Sequence, residues 1–179
     1  SIMARATVAG VLHMAGIEEW EELGEVSGEA LVGMEYHHPF IQRECPVIPA
    51  EYVTLEDGTG CVHTAPGHGL EDYVAGLEHG LDILSPVDAE GYFTEEAGPF
   101  AGQHIEEGDE AIVEHLVDEG YMLLATEDTH SYPHCWRCHD PVIFRATNQW
   151  FVRMDHEGFR QVVGEAVHDV EWMPAWGEE

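Results

Sequence analysis

Residues 58–73 hold the residue types best suited to chemistry in this sequence, an imidazole followed nine positions later by a carboxylate. The imidazole is His63, which ends a short apolar strand predicted over residues 61–63, and a Gly/Pro-rich loop follows it. Small loop residues let a ligand approach the backbone closely. Asp72 falls in the first turn of the helix predicted after the loop, so His63 and Asp72 could face one small pocket.

Both residues also have structural interpretations that need no ligand. A histidine at a strand end can be an ordinary packed side chain. A carboxylate in a first helical turn is often only a partner of the helix dipole. The spacing of His63 and Asp72 leaves these alternatives open.

A second candidate site is the pair Cys135 and Cys138, which are separated by two residues. Three histidines lie nearby: His130, His134 and His139. Two thiolates at this spacing form half of a tetrahedral zinc site, and zinc prefers four ligands. A histidine could complete the site locally, or the cysteines could be free. The other two cysteines, Cys45 and Cys61, lie among apolar neighbours and are predicted to be small core residues.

Helices and strands must position these candidates. Apolar periodicity and glycine stops predict helices over residues 2–15, 70–78, 106–119 and 158–167. Strand-like pieces occupy residues 30–36, 61–63, 121–125 and 142–152. The clearest helix is 106–119, with an apolar face that is expected to pack on the outside of a sheet. The aromatic residues Trp150, Phe151, Trp172 and Trp176 are expected to serve packing rather than nucleic-acid stacking.

The run of residues 58–73 closely resembles the editing domain that is inserted into the catalytic fold of isoleucyl-tRNA synthetases. Further segments resemble the same family in the same order: residues 92–94, 130–138, 143–147, 149–151 and 172–177. The related valyl and leucyl enzymes share the insertion, but residues 63–69, His-Thr-Ala-Pro-Gly-His-Gly, are of the isoleucyl type. Practically the whole chain is covered by the resemblance.

The resemblance implies an α+β mixed fold, a small β-barrel-centred editing domain with peripheral helices. It implies an N-terminally incomplete editing domain over residues 1–129, and a zinc-knuckle-like stem over residues 130–179 that returns to the catalytic core. The family's threonine-rich segment and its ATP-binding motifs are not found in this sequence. We therefore expect a fragment that cannot activate isoleucine by itself.

The activity implied by the resemblance is hydrolysis of misacylated valyl-tRNA(Ile) in an ATP-dependent isoleucine-tRNA ligase. A pocket that selects isoleucine gains only about 1–3 kcal/mol of discrimination against valine from the missing methylene, so a second site must hydrolyse misattached valine. In the family, the residue matching Asp72 holds the α-ammonium of valine and the one matching His63 keeps isoleucine out, while water attacks the ester. Thr64, Gly67 and His68 are expected to bind substrate together with Asp72. The alternative is a non-catalytic, metal-stabilised binding or pseudo-editing module.

Cofactors and partners follow from the same resemblance. Cys135 and Cys138 would supply half of a zinc site, which in the family can be completed by another Cys-x-x-Cys upstream. ATP and Mg²⁺ would belong to the parent enzyme and not to this chain. The expected partners are the 3′ end of tRNA(Ile) carrying valine and the remainder of the synthetase chain, in a monomeric parent.

The composition sets a constraint that these expectations must meet. The sequence has 36 Asp and Glu residues, 6 arginines and no lysine, for a net charge of -30. Such a charge repels nucleic acid and anionic lipid at ordinary salt. It suits a halophilic cytoplasm, where the Debye length is about 3 Å at 1 M salt; an ordinary acidic protein and a surface engineered for solubility stay open. Apolar stretches fall short of the ~20 residues that span a bilayer, so we expect a soluble, cytoplasmic protein without membrane contact.

Overall fold

A computed structural model describes residues 1–56 and 58–178 of the chain. The α-helices are α1 (Val8–Met14), α2 (Gly28–Leu31), α3 (Leu70–His79), α4 (Ile105–Asp118) and α5 (Phe159–Ala166). The strands are β1 (Glu35–His37) and β2 (Glu44–Pro46), and 3-10 helices occupy Glu95–Phe100, Val167–Asp169 and Ala175–Glu178. The predicted α+β class is confirmed. The chain forms two compact units, Ser1–Ala146 and Thr147–Glu179.

Two helices, α3 at the candidate site and α4, are the elements that the sequence predicted best. Helix α3 begins after the extended Gly69 and ends at Gly80, which is left-handed with φ 67°. Helix α4 begins after His104, whose side chain accepts a hydrogen bond from the Glu106 backbone N–H, and Gly120 follows its end with φ 73°. A left-handed glycine just past the last turn costs no Cβ clash, which is why glycine ends helices. The predicted helices 70–78 and 106–119 are confirmed to within one residue at each end.

The sheet is much smaller than the sequence suggested. Strands β1 and β2 pair antiparallel, with Tyr36 opposite Cys45. Isolated bridges join Val87 to Phe93, Tyr92 to His104 and His134 to Pro141. In the described part of the chain this two-stranded sheet does not close, so the predicted β-barrel is not confirmed. The predicted strands 61–63, 121–125 and 142–152 form no ladder here, because an extended segment becomes a strand only beside a partner.

The core of the first unit is thin. Its buried apolar residues are Val11, Leu12, Ala75, Val87, Ala97 and Phe100. The ring of Phe40 meets that of Phe100 edge-on at 5.0 Å and that of His115 at 5.9 Å, which joins the β1–β2 region to α4. Cys45 is half-buried, but Cys61 is exposed, so its predicted place in the core is wrong. None of the described helices combines the length and apolar character needed to cross a membrane.

The second unit is built around α5. The Trp172 indole donates a hydrogen bond to the Val167 carbonyl at 3.0 Å, and its ring lies against Gly177. The other aromatic residues of the predicted packing cluster are exposed within the described structure: Trp150 fully, Phe151 to 89% and Trp176 to 73%. The predicted domain division after residue 129 stays a prediction.

Candidate functional site

The loop between His63 and α3 is held firmly from two sides. Pro66 and Gly67 are buried, and the Gly67 carbonyl accepts a hydrogen bond from the Ala146 N–H at 2.7 Å. A Cβ on Gly67 would lie 1.9 Å from the Leu84 carbonyl oxygen, so no side chain fits there. Residue 67 must be glycine because the loop backbone presses directly on its neighbour.

Helix α3 is the second element that fixes the loop. Gly76 packs on Pro66 so closely that a Cβ at residue 76 would lie 2.8 Å from the proline ring. Both residues are buried, as is Ala75. The close approach fixes the first turn of α3, and with it Asp72, relative to the loop.

The Asp72 carboxylate is tied to the loop through both of its oxygens. Oδ2 accepts a hydrogen bond from the Ala65 N–H at 3.0 Å, and Oδ1 accepts one from the Tyr52 hydroxyl at 3.3 Å. The Tyr52 hydroxyl also lies 3.2 Å from Thr64 Oγ1. The structure therefore brings Thr64 and Asp72 together through a tyrosine that the sequence did not indicate, and their expected contacts with substrate stay a prediction. Each carboxylate oxygen keeps a further lone pair, so both hydrogen bonds leave room for a cationic ligand.

His63 stands immediately before this linked group, and its side chain is exposed. Its neighbour is His38, whose Nδ1 accepts hydrogen bonds from the backbone N–H groups of Phe40 and Ile41. Burial, together with the nearby charges of His63 and Arg43, holds the pKa of His38 below its usual range. Among the described residues no hydrogen bond joins His63 to Asp72, so their joint pocket stays a prediction.

The His68 side chain contacts a distant segment of the chain. Its Nδ1 lies 2.8 Å from the Phe144 carbonyl oxygen. Because a carbonyl only accepts, Nδ1 carries the proton and Nε2 has the lone pair. Nε2 is buried and has no hydrogen-bond partner within the described chain. This contact positions the loop, and the substrate-binding role of His68 stays a prediction.

An open groove lies between residues 49–52 and α3. Its volume is about 800 Å³. The lining residues are Pro49, Ala50, Glu51, Tyr52, Leu70, Glu71, Val74, Ala75, Glu78 and His79. Tyr52 thus lines this groove, and its hydroxyl reaches Asp72 in the first turn of α3. No spacing rule pairs residue 52 with residue 72, because the contact is made across a turn and a loop.

The Cys135 and Cys138 pair lies in a tight turn. The Cys135 N–H donates to the Asp140 carbonyl at 2.8 Å, and the His139 N–H donates to the Cys135 carbonyl at 2.9 Å. Backbone N–H groups of Cys138 and Arg137 lower the pKa of the Cys135 thiol. The backbone N–H of Asp140 acts the same way on Cys138, but the Asp140 and Cys135 side chains outweigh it and raise the pKa of that thiol.

This turn fits half of a zinc site. Amide N–H groups aimed at one thiol stabilise the thiolate that zinc requires. In the part of the chain that the structure describes, no group of three or more His, Cys, Asp or Glu side chains is placed to hold a metal. His134 Nδ1 lies 2.7 Å from the His139 carbonyl oxygen, a contact that leaves the lone pair on its Nε2. Cys135 and Cys138 therefore supply two ligands at this turn, half of a tetrahedral site.

Comparison with known proteins found no matching family model. The chain is similar to the isoleucine–tRNA ligase of Petrotoga mobilis, with 48% identity over 177 residues, 99% of this chain and 19% of that enzyme. It is similar to the isoleucine–tRNA ligase of Moorella thermoacetica, with 48% identity over 178 residues and the same coverage. With the isoleucine–tRNA ligase of Thermotoga maritima it shares 53% identity over 164 residues, 90% of this chain and 18% of that enzyme. The chain thus spans about a fifth of the length of the relatives it matches.

Proposed function

We propose that the chain is a segment of an isoleucine–tRNA ligase, as its similarity to one part of those enzymes supports, and that this segment is an editing region that hydrolyses valyl-tRNA(Ile). The observation that carries the proposal is the Asp72 carboxylate, which is fixed through both oxygens beside a rigid loop. A fixed carboxylate with free lone pairs suits the α-ammonium of an esterified amino acid, because a charge-assisted hydrogen bond is short and directional.

The proposed reaction is the attack of water on the ester carbonyl. Water adds to the carbonyl carbon, and the tetrahedral intermediate collapses to free valine and the ribose hydroxyl of the tRNA. Asp72 holds the ammonium so that the ester lies over the loop at Thr64, and neither Asp72 nor His63 becomes bonded to the substrate. Holding the reacting groups in one geometry is itself a large part of catalysis.

His63 is proposed to set the size limit of the pocket. Its imidazole would leave room for the valine side chain and exclude the extra methylene of isoleucine. That methylene is worth only about 1–3 kcal/mol in attractive contacts, but a wall placed against it adds repulsion to the discrimination. Gly67 and His68 contribute by holding the loop, and direct substrate contacts of Thr64, Gly67 and His68 belong to the same proposal.

The remainder of a larger enzyme is the proposed neighbour of this chain. The accessible surface of this chain is 14,719 Å², whereas a folded monomer of the same mass exposes about 8,700 Å². Trp150, Phe151 and Trp176 add large exposed apolar side chains. Covering such surface against other parts of the enzyme supports the proposal that the barrel-centred fold is completed there. ATP and Mg²⁺ would bind in those other parts of a monomeric parent, and a salt-rich cytoplasm would suit the charge.

Cys135 and Cys138 are proposed to hold a structural zinc ion together with two ligands from elsewhere in the enzyme. The turn supplies amide donors to the Cys135 thiolate, which fits this role. Bound zinc would fix the turn and take no part in hydrolysis.

The test is deacylation by the full-length enzyme carrying this segment, with valyl-tRNA(Ile) and isoleucyl-tRNA(Ile) as substrates. Asp72→Asn should slow deacylation of the valyl ester about 10- to 100-fold, the worth of one hydrogen bond to a charged group. Asp88→Asn is the matched control, because Asp88 also caps backbone N–H groups, those of Glu90 and Tyr92. Isoleucine activation should be unchanged in both variants.

His63→Ala tests the size limit in the same assay. The variant should gain deacylation of isoleucyl-tRNA(Ile) while retaining that of the valyl ester. Unchanged rates in the Asp72 variant would remove Asp72 from the mechanism. A wild-type enzyme that binds the valyl ester without hydrolysing it would favour the alternative, a non-catalytic, metal-stabilised module.

A further inference from the structure

We propose that Tyr52 is a positioning residue of the candidate editing site, and that it acts by fixing the plane of the Asp72 carboxylate. The inference rests on the proposed function. It starts from the hydroxyl of Tyr52, which lies within hydrogen-bond distance of Asp72 Oδ1 and Thr64 Oγ1, at 3.3 and 3.2 Å. Both contacts are with residues of the candidate site.

The direction of each hydrogen bond follows from the chemistry of the three groups. An ionised carboxylate only accepts, so the single hydroxyl proton of Tyr52 goes to Asp72. The Tyr52 oxygen must then accept from Thr64, whose hydroxyl becomes the donor. The lone pairs of Thr64 Oγ1 are left available to accept a hydrogen bond from water or from a substrate hydroxyl.

Two hydrogen bonds are needed to fix the plane of the Asp72 carboxylate. The Ala65 N–H holds Oδ2 alone, and a carboxylate held through one oxygen can still turn about its Cβ–Cγ bond, where rotation is broad. The Tyr52 hydroxyl holds the other oxygen and stops this rotation. The free lone pairs of Asp72 then point in one direction, which an ammonium ligand needs for a bond of fixed geometry.

The ring and the hydroxyl of Tyr52 make different contacts, so the hydroxyl can be removed separately. The half-buried Tyr52 side chain lines the groove, as do Leu70 and Val74 of α3. A phenylalanine would fill the same space. Tyr52→Phe therefore removes the hydroxyl and its two contacts while leaving the packing in place.

The experiment measures kcat and KM for valyl-tRNA(Ile) deacylation by the full-length enzyme, its Tyr52→Phe and Asp72→Asn variants, and the double variant. Tyr52→Phe should lower kcat about 10-fold, the lower end for a hydrogen bond to a charged group, with KM nearly unchanged because the Asp72 charge remains. In the double variant, Tyr52→Phe should add no loss to that of Asp72→Asn, because its effect passes through Asp72.

Tyr36→Phe is the matched control, since Tyr36 lies opposite Cys45 in the β1–β2 hairpin and outside the candidate site. Its deacylation kinetics should equal those of the wild type. An equal loss in Tyr36→Phe, or a loss that multiplies with that of Asp72→Asn, would overturn the positioning role. Full activity of Tyr52→Phe beside an active wild type would overturn it alone, whereas an inactive wild type would overturn the proposed function and the role of Tyr52 with it.

Discussion

Replacing Gly67 by alanine tests whether the candidate loop is as tightly clamped as its contacts indicate. The added Cβ would lie 1.9 Å from the Leu84 carbonyl oxygen and 3.1 Å from the Ser85 Cα. Real Cβ contacts are essentially never shorter than 3.0 Å, so the two segments must separate by at least about 1.1 Å. Movement of the Gly67 segment is opposed by the Ala146 N–H, which donates to the Gly67 carbonyl at 2.7 Å.

The cost of Gly67→Ala has two parts. Forcing an extra methyl group into packed surroundings costs about 1–3 kcal/mol, and loss of the Ala146 hydrogen bond costs about 0.5–1.5 kcal/mol. We expect the free energy of unfolding to fall by about 2–4 kcal/mol, which lowers the melting temperature of a chain of this size by about 5–15 °C.

The assay is urea and thermal unfolding of the 179-residue chain, followed by circular dichroism. Gly10→Ala is the matched control, because residue 10 lies inside α1 and a Cβ there meets nothing within 4 Å. That substitution should stabilise the chain by about 0.5–1 kcal/mol. If Gly67→Ala unfolds within about 0.5 kcal/mol of the wild type, a range ordinary for surface substitutions, the clamp does not exist in solution.

Three further predictions concern charge and metal. The pKa of His38 is lower in the folded state than in the unfolded state. The neutral side chain therefore contributes stability that is fully present above about pH 6.5 and is lost as pH falls through the folded pKa. In urea unfolding, His38→Asn should lose less stability than the wild type between pH 7.5 and 5.5. The zinc content of this chain should be below one ion per molecule and lower than that of the full-length enzyme. Equal stoichiometric zinc in both would refute a site that Cys135 and Cys138 share with other parts of the enzyme. With a net charge of -30, the urea midpoint should rise between 0.1 and 1 M NaCl, where the Debye length drops from about 10 to 3 Å, and an unchanged midpoint would contradict strong self-repulsion.

Local signals in the sequence predicted α3, which carries Asp72, and α4. The apolar spacing and the closing glycine of each helix, Gly80 or Gly120, lie within one continuous stretch of chain. Strands were predicted less well, because a strand exists only with a partner. Residues 142–146 are an example: they donate single hydrogen bonds to Pro133 and Gly67 instead of forming a ladder.

The candidate site shows the same division between local and distant contacts. The first-turn place of Asp72 follows from the sequence, since the loop and the helix start are adjacent. Its partner Tyr52 is 20 residues away, and the contact of His68 with Phe144 spans 76 residues. Such contacts depend on how segments pack, so spacing alone could not supply them. The resemblance to editing domains identified residues 63–72 as a group, but it did not identify the residues that hold the group in place.

The arginines explain how so acidic a chain could act on a nucleic acid. Four of the six are engaged with other groups of the chain: Arg5 with Glu22 and Glu25, Arg137 over the Trp136 ring, Arg145 with the Val87 carbonyl, and Arg160 with Asp155. Affinity for the tRNA backbone depends on cations that neutralise phosphates, and this segment has few to offer. Under the proposed function, the tRNA must therefore be held by other parts of the enzyme. This segment would receive only the aminoacyl end, which is recognised by the ammonium at Asp72 and the side-chain size at His63, and neither contact requires a basic surface.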